Sequence, residues 1–191
     1  MPSLPRISSI PSLPKATQTQ ILDTLFESST DLHALALPLL ANQTFSSYQS
    51  LISAVGARMT ALSATNSSKD REVLHGILGA HPRLGEKKQE NLSELSRREQ
   101  AGLNASKGEE DDESVKQKGE EERAELKRLN SVYEEKYPGL RYVVFVNGRS
   151  RDVIMQDMRR RIERGDVEKE KEEIIQAMCD IAIDRAQKLQ G

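Results

Sequence analysis

Apolar residues recur along this chain at spacings of three and four, the period at which side chains line one face of an α-helix. Ile21, Leu22, Leu25 and Phe26 form the first such stripe, and Thr17 or Thr19 ahead of it is a capping residue for a helix start. "DLHALALPLL", residues 31–40, predicts a second short helix with Pro38 near its end or kinking it. Over 44–62, Tyr48, Leu51, Ile52, Val55 and Met59 fall on one stripe of a third. The loop "ATNSSKD" separates it from a fourth, "REVLHGILGA", at 71–80. Downstream, Leu126, Leu129, Val132 and Tyr133 predict a helix that Pro138-Gly139 end. "RDVIMQDMRRRIERG" predicts another, closed by Gly165 as its C-cap. Ile174, Met178, Ile181 and Arg185 share one face of the last, over 167–189.

Three stretches break the period. Residues 1–15 hold four of the seven prolines, which disfavour helix in themselves and in their predecessors, so an extended, flexible tail is expected there. Residues 104–120 are almost free of large apolar groups and rich in charge, and such a segment buries too little surface to offset its ordering entropy. It reads as a mobile insertion. "RYVVFVNGRS", residues 141–150, is β-rich, with Asn147-Gly148 supplying a turn. No period of 20–50 residues recurs, which argues against a solenoid.

Composition narrows the function classes. The chain has 191 residues, enough for one domain with a real core. Charged residues make up 30 % and aromatics 4 %, and the net charge of −2 gives no general argument for nucleic acid or anionic membranes. The single Cys179 cannot form an intramolecular disulfide, consistent with a reducing compartment. No apolar run approaches the ~20 residues of a membrane span. No signal peptide is predicted, and the closing Lys188-Leu189-Gln190-Gly191 is not a peroxisomal tripeptide, so the cytoplasm is the expected compartment.

Candidate chemistry begins at "GAHPRLG", residues 79–85. Pro82 disfavours the α region for His81, which ends the helix and presents the imidazole at its end. An imidazole with pKa near ~6.5 is suited to proton transfer at neutral pH; the plain alternative is a surface histidine that compensates the helix dipole. His33 and His75 lie within helical segments and read as structural. Ser96 and Glu99 have the spacing of a capping box; the functional alternative places the Glu99 carboxylate beside a histidine. "YVVFV" reads as a buried strand, but without a partner strand its backbone groups need other partners, such as an amide-rich heterocycle. Arg159-Arg160-Arg161 reads as a solvated helix face. Metal-ligand spacing and glycine-rich phosphate loops are both missing, so neither a metal site nor a phosphate-binding loop is expected.

"HPRLG", "LSRREQAGL", "LNSVYEEKYPGLRYVVFVNGRS" and a helix pair ending "IAIDRAQKL" occur in the order seen in the OHCU decarboxylases, and over residues 17–190 the chain resembles that family. The family acts late in urate degradation, converting 2-oxo-4-hydroxy-4-carboxy-5-ureidoimidazoline (OHCU) to (S)-allantoin. The resemblance implies an all-α, cofactor-free homodimer whose partner is this small molecule and not nucleic acid or membrane. The chain then reads as a single-domain helical bundle over 16–190. The resemblance also implies that His81 and Glu99 are catalytic, that Pro82 lines the site, and that Ser96, Arg97, Arg98 and Gln100 belong to a segment contacting substrate. It implies that the main chain of Tyr142, Val143, Val144, Phe145 and Val146 meets the ring. Arg185 matches the family's late arginine, although Ala186 stands where leucine usually follows. Two other readings fit the composition: a non-enzymatic helical interaction module, and a lyase or hydrolase for a different ureido compound.

Overall fold

The structure, a computed structural model, describes residues 3–65, 67–85, 94–104 and 113–190. Among these residues there are eight α-helices, one short 3₁₀ helix and no strand. They fall into two compact units: one holds the chain up to His81 together with residues from Glu168 onward, and the other holds Pro82–Val167.

The first unit is built from α1 (Lys15–Phe26), α2 (Thr30–Asn42), α3 (Tyr48–Ser63), α4 (Ser68–Leu78) and α8 (Val167–Leu189). Hydroxyls set three of the starts: Ser29, Ser47 and Ser67 each accept a backbone N–H from the first turn of α2, α3 and α4. The threonines expected to cap α1 do not, because the helix starts earlier. Pro14 precedes it with φ −54°, and its carbonyl receives Thr17 N and Gln18 N. Pro38 lies inside α2, which runs on to Asn42. Helix α2 packs against α1, α3 and α4. The sequence stripes are the core: Leu22, Leu25, Leu32, Leu40, Leu51, Ile52, Val55 and Met59 are all fully enclosed. Helix α3 comes close to α8 at Gly56, where an added Cβ would lie 2.7 Å from Cys179 Sγ.

The proline-rich start is not the loose tail its composition suggests. Residues Ile7–Ser12 form the 3₁₀ helix, and Ile10 is fully buried. Leu4 N donates to Leu189 O at 3.1 Å, the Tyr48 hydroxyl to Pro5 O at 2.7 Å, and Gln18 Nε2 to Ile10 O at 3.0 Å. Prolines leave carbonyls without competing N–H groups, and side chains of α1 and α3 take them up.

The second unit contains α5 (Glu94–Asn104), α6 (Glu113–Lys136) and α7 (Arg151–Arg164), with α6 packed on α7. Leu126, Leu129 and Tyr133 face inward from α6, and Ile154, Met155 and Met158 from α7. Gly165 closes α7 in the left-handed region at φ 65°, as the sequence implies. The acidic stretch 104–120, read as an insertion, runs into α6 at its C-terminal end. Residues 113–120 are the first turns of α6, with Gln117, Lys118 and Glu120 exposed; residues 105–112 lie outside the described residues.

Residues 140–146 form neither helix nor strand. Arginines serve their carbonyls: Arg161 Nη1 donates to Val143 O at 3.0 Å, Arg149 Nε to Val146 O at 3.3 Å, and Arg149 Nη2 to Phe145 O. Asn147 and Gly148 form the expected turn, both at positive φ.

Candidate functional site

Helix α4 ends at Leu78 with Gly79 as its C-cap, so His81 lies just past the helix end, as Pro82 requires. It is not a surface histidine: it is 4 % exposed. Arg185 of α8 and Glu27, the residue that ends α1, set its electrostatic surroundings. Burial pushes the imidazole down from its ordinary range to about 4; the Arg185 cation adds to the shift and the Glu27 carboxylate opposes it. His81 is therefore neutral at physiological pH.

The Arg185–Glu27 pair is itself deeply enclosed, with side chains 1 % and 8 % exposed. Arg185 Nη2 donates to Glu27 Oε1 at 2.7 Å, and Nη1 donates to Thr24 O and Leu25 O at 3.2 and 3.4 Å. The guanidinium thus sits on the C-terminal turn of α1, where the helix dipole favours a cation. Glu27 reaches it from a backbone at φ 72°, ψ 158°. That region is natural to glycine and costs another residue about 1–3 kcal/mol. Of the expected site residues, the structure brings His81 and Arg185 together; Glu27 is the member the sequence did not reveal. Its only signal is a glutamate immediately after a helix, where nothing local announces the turn.

Pro82 opens the second unit, and the residues after it are tied down. Arg83 grips Glu134 with Nε and Nη2, each at 2.6 Å, and this hydrogen-bonded guanidinium holds the Glu134 carboxyl below its ordinary range. Asn130 Nδ2 donates to Leu84 O at 3.1 Å. Gly85 adopts φ 82°, and a Cβ there would meet Leu126 Cδ2 at 2.4 Å.

Ser96 is the third residue of α5 and buried, so Ser96 and Glu99 do not form the capping box their spacing suggests; the helix has already begun at Glu94. Glu99 is half-buried, whereas Arg97 and Arg98 are exposed. Arg98 pairs with Glu94 one turn back at 2.6 Å. The side chain of Gln100 falls outside the described residues.

Within the segment expected to meet the ring, Tyr142, Val143 and Val146 are buried and Val144 and Phe145 half-buried. The Tyr142 hydroxyl donates to Asp157 Oδ2 at 2.7 Å, and the Arg161 guanidinium lies 4.6 Å from the centre of its ring. Burial, with the Asp157 carboxylate, drives the Tyr142 phenol far above its usual range. Arg161 is 2 % exposed, a correction to the expectation that all three consecutive arginines are solvated: Arg159 and Arg160 are, and Arg161 turns inward to a buried carbonyl. His33 bonds Asp23 Oδ1 at 2.5 Å through Nε2. His75 on α4 is pushed below its usual range by burial first, then by Lys171 and Arg71. Among the described residues no group of three His, Cys, Asp or Glu could hold a metal ion, and no helix is long and apolar enough to cross a membrane.

A neutral, enclosed imidazole in the field of a buried guanidinium is chemically able to accept and return a proton. The chain is of the class of all-α enzymes. Residues 11–187 match the family model described as OHCU decarboxylase, and the chain belongs to that family of carboxy-lyases of urate degradation. One match thus runs through both units. Comparison with curated proteins gives no match.

Proposed function

We propose that the protein decarboxylates 2-oxo-4-hydroxy-4-carboxy-5-ureidoimidazoline and releases CO2 and (S)-allantoin. The observation that carries this reading is the buried His81 imidazole beside the Arg185 guanidinium. The substrate holds a carboxylate and a hydroxyl on one ring carbon, next to a C=N bond. When the C–CO2⁻ bond breaks, its electron pair moves into that unsaturated system. The hydroxyl then loses its proton and becomes a carbonyl, the neighbouring carbon gains one on a single face, and one proton from solvent balances the lost carboxylate.

The resemblance implied that His81 is catalytic. Its environment supports a fuller role. A neutral imidazole first accepts the hydroxyl proton. A substrate carboxylate at Arg185 offsets the guanidinium charge, which makes His81 more basic while substrate is bound. Departure of CO2 removes that offset, and the imidazolium becomes a strong acid poised to deliver its proton to carbon. The remaining assignments follow the family resemblance: Glu99 as second catalytic group, Pro82 and residues 96–100 as substrate contacts, and the 142–146 main chain as the ring's hydrogen-bonding surface. A homodimer belongs to the same reading and is checked by light scattering.

The test is circular dichroism of freshly oxidised urate with and without the protein. Rapid growth of the (S)-allantoin signal is expected. Formation of allantoin at the spontaneous rate and as a racemate overturns the reading and directs attention to other ureido compounds.

A further inference from the structure

We propose that Glu27 is a positioning residue of this decarboxylation: its carboxylate tethers the Arg185 guanidinium to the end of α1, beside His81. The proposal rests on the functional reading above and adds a residue that neither the sequence motifs nor the family resemblance assigned.

Three observations carry it. Glu27 holds φ 72°, ψ 158° immediately after α1, a conformation open to glycine without strain. Backbone geometry alone therefore favours glycine, and what a glutamate adds is a carboxylate directed into the protein. That carboxylate meets Arg185 Nη2 at 2.7 Å, with both side chains enclosed. The other Arg185 contacts to α1, Thr24 O and Leu25 O, bring only partial charges, so Glu27 supplies the full counter-charge on α1 for a cation removed from water.

The consequence falls on His81, whose field comes from Arg185 on α8 and from Glu27 at the end of α1. With the tether in place, the guanidinium keeps one position relative to the imidazole, and the net charge of the pair is near zero. Without it, the carboxylate that opposes the Arg185 cation in the field at His81 is lost. The imidazole then becomes a poorer acceptor for the substrate hydroxyl proton, and the guanidinium loses its fixed place.

The experiment compares the parent chain with Glu27→Gln and Glu27→Gly, reading kcat/KM for OHCU from pH 4 to 8 beside helicity. Glu27→Gln keeps the shape and removes the charge; kcat/KM at neutral pH should fall at least ~10-fold. Its acid limb should move to lower pH, because the imidazolium loses a carboxylate while the Arg185 cation stays. Glu27→Gly suits the backbone and removes the tether, and should lose ~10²-fold with helicity kept. Activity within threefold of the parent in both variants overturns the proposal. So does an acid limb that moves up toward ~6.5, the sign of water entering a loosened core. Failure of both variants to fold makes the pair a structural brace and also overturns it. A parent inactive on this substrate sinks the functional reading instead. The tether is then judged by NMR titration of His81, whose pKa falls in Glu27→Gln if the tether holds and stays in place if it does not.

Discussion

His81 shows how environment, more than residue type, sets chemistry. Its pKa is about 4 in the folded chain against ~6.5 in an unfolded one. The unfolded state therefore binds more protons between those values, and stability is full above pH ~6.5 and lost as pH falls toward 4. The loss reaches up to about 3 kcal/mol. Urea unfolding at pH 7 and pH 4.5 should show it in the parent, and His81→Gln should lose distinctly less over the same interval. Glu99 tests the second assigned group. Because the helix has already started at Glu94, Glu99→Gln disturbs no cap, and thermal melting should stay within a degree or two of the parent. If the carboxylate takes part in proton transfer, (S)-allantoin formation should fall by on the order of 10²-fold. Normal turnover would reduce Glu99 to a half-buried helix residue.

At the scale of elements, the 140–146 segment shows how a strand-like sequence is held without a sheet. Apolar side chains bury, and the carbonyls that a neighbouring strand would have used are taken by guanidinium groups. Arg161 is central. It bonds Val143 O, stacks on Tyr142, and its own carbonyl accepts the Tyr137 hydroxyl at 2.5 Å. Lysine at this position keeps the charge but not the planar fork or the stacking. Arg161→Lys should destabilise by about 1–3 kcal/mol, the scale of a buried acceptor left unsatisfied. Amides of 140–146 should also exchange faster with deuterium. Unchanged exchange would mean that packing of Tyr142 and Val143 alone fixes the segment.

For the whole molecule, the first unit draws on both ends of the chain, since α8 and the N-terminal 3₁₀ helix both belong to it. The N-terminal segment is thus part of the fold. Ile10→Ala should cost about 2–4 kcal/mol by the usual cavity argument. For a domain of this size that lowers the melting temperature by roughly 4–16 °C, with kcat at 25 °C unchanged because alanine keeps the Ile10 carbonyl that holds Gln18 Nε2. A melting curve identical to the parent's would return residues 3–12 to the status of a tail.

The sequence by itself determined the helices, because each apolar stripe is a matter of neighbours three and four residues apart, and those spacings survive in any fold. It marked the break at His81-Pro82, the Gly165 cap and the Asn147-Gly148 turn for the same reason: each is a local backbone preference. Tertiary structure decided what local spacing does not encode. Ser96 and Glu99 match a capping box, yet the helix begins upstream of them. Prolines predict a loose start, yet Ile10 finds a core and the free carbonyls find donors. Arg159, Arg160 and Arg161 look alike in sequence; helical rotation turns one of them into the interior. Glu27 and Arg185 are 158 residues apart, and their pairing depends on one unusual φ at the end of α1. A charge becomes a functional group when the fold removes it from water and supplies it with fixed partners, and that is settled only when distant segments meet.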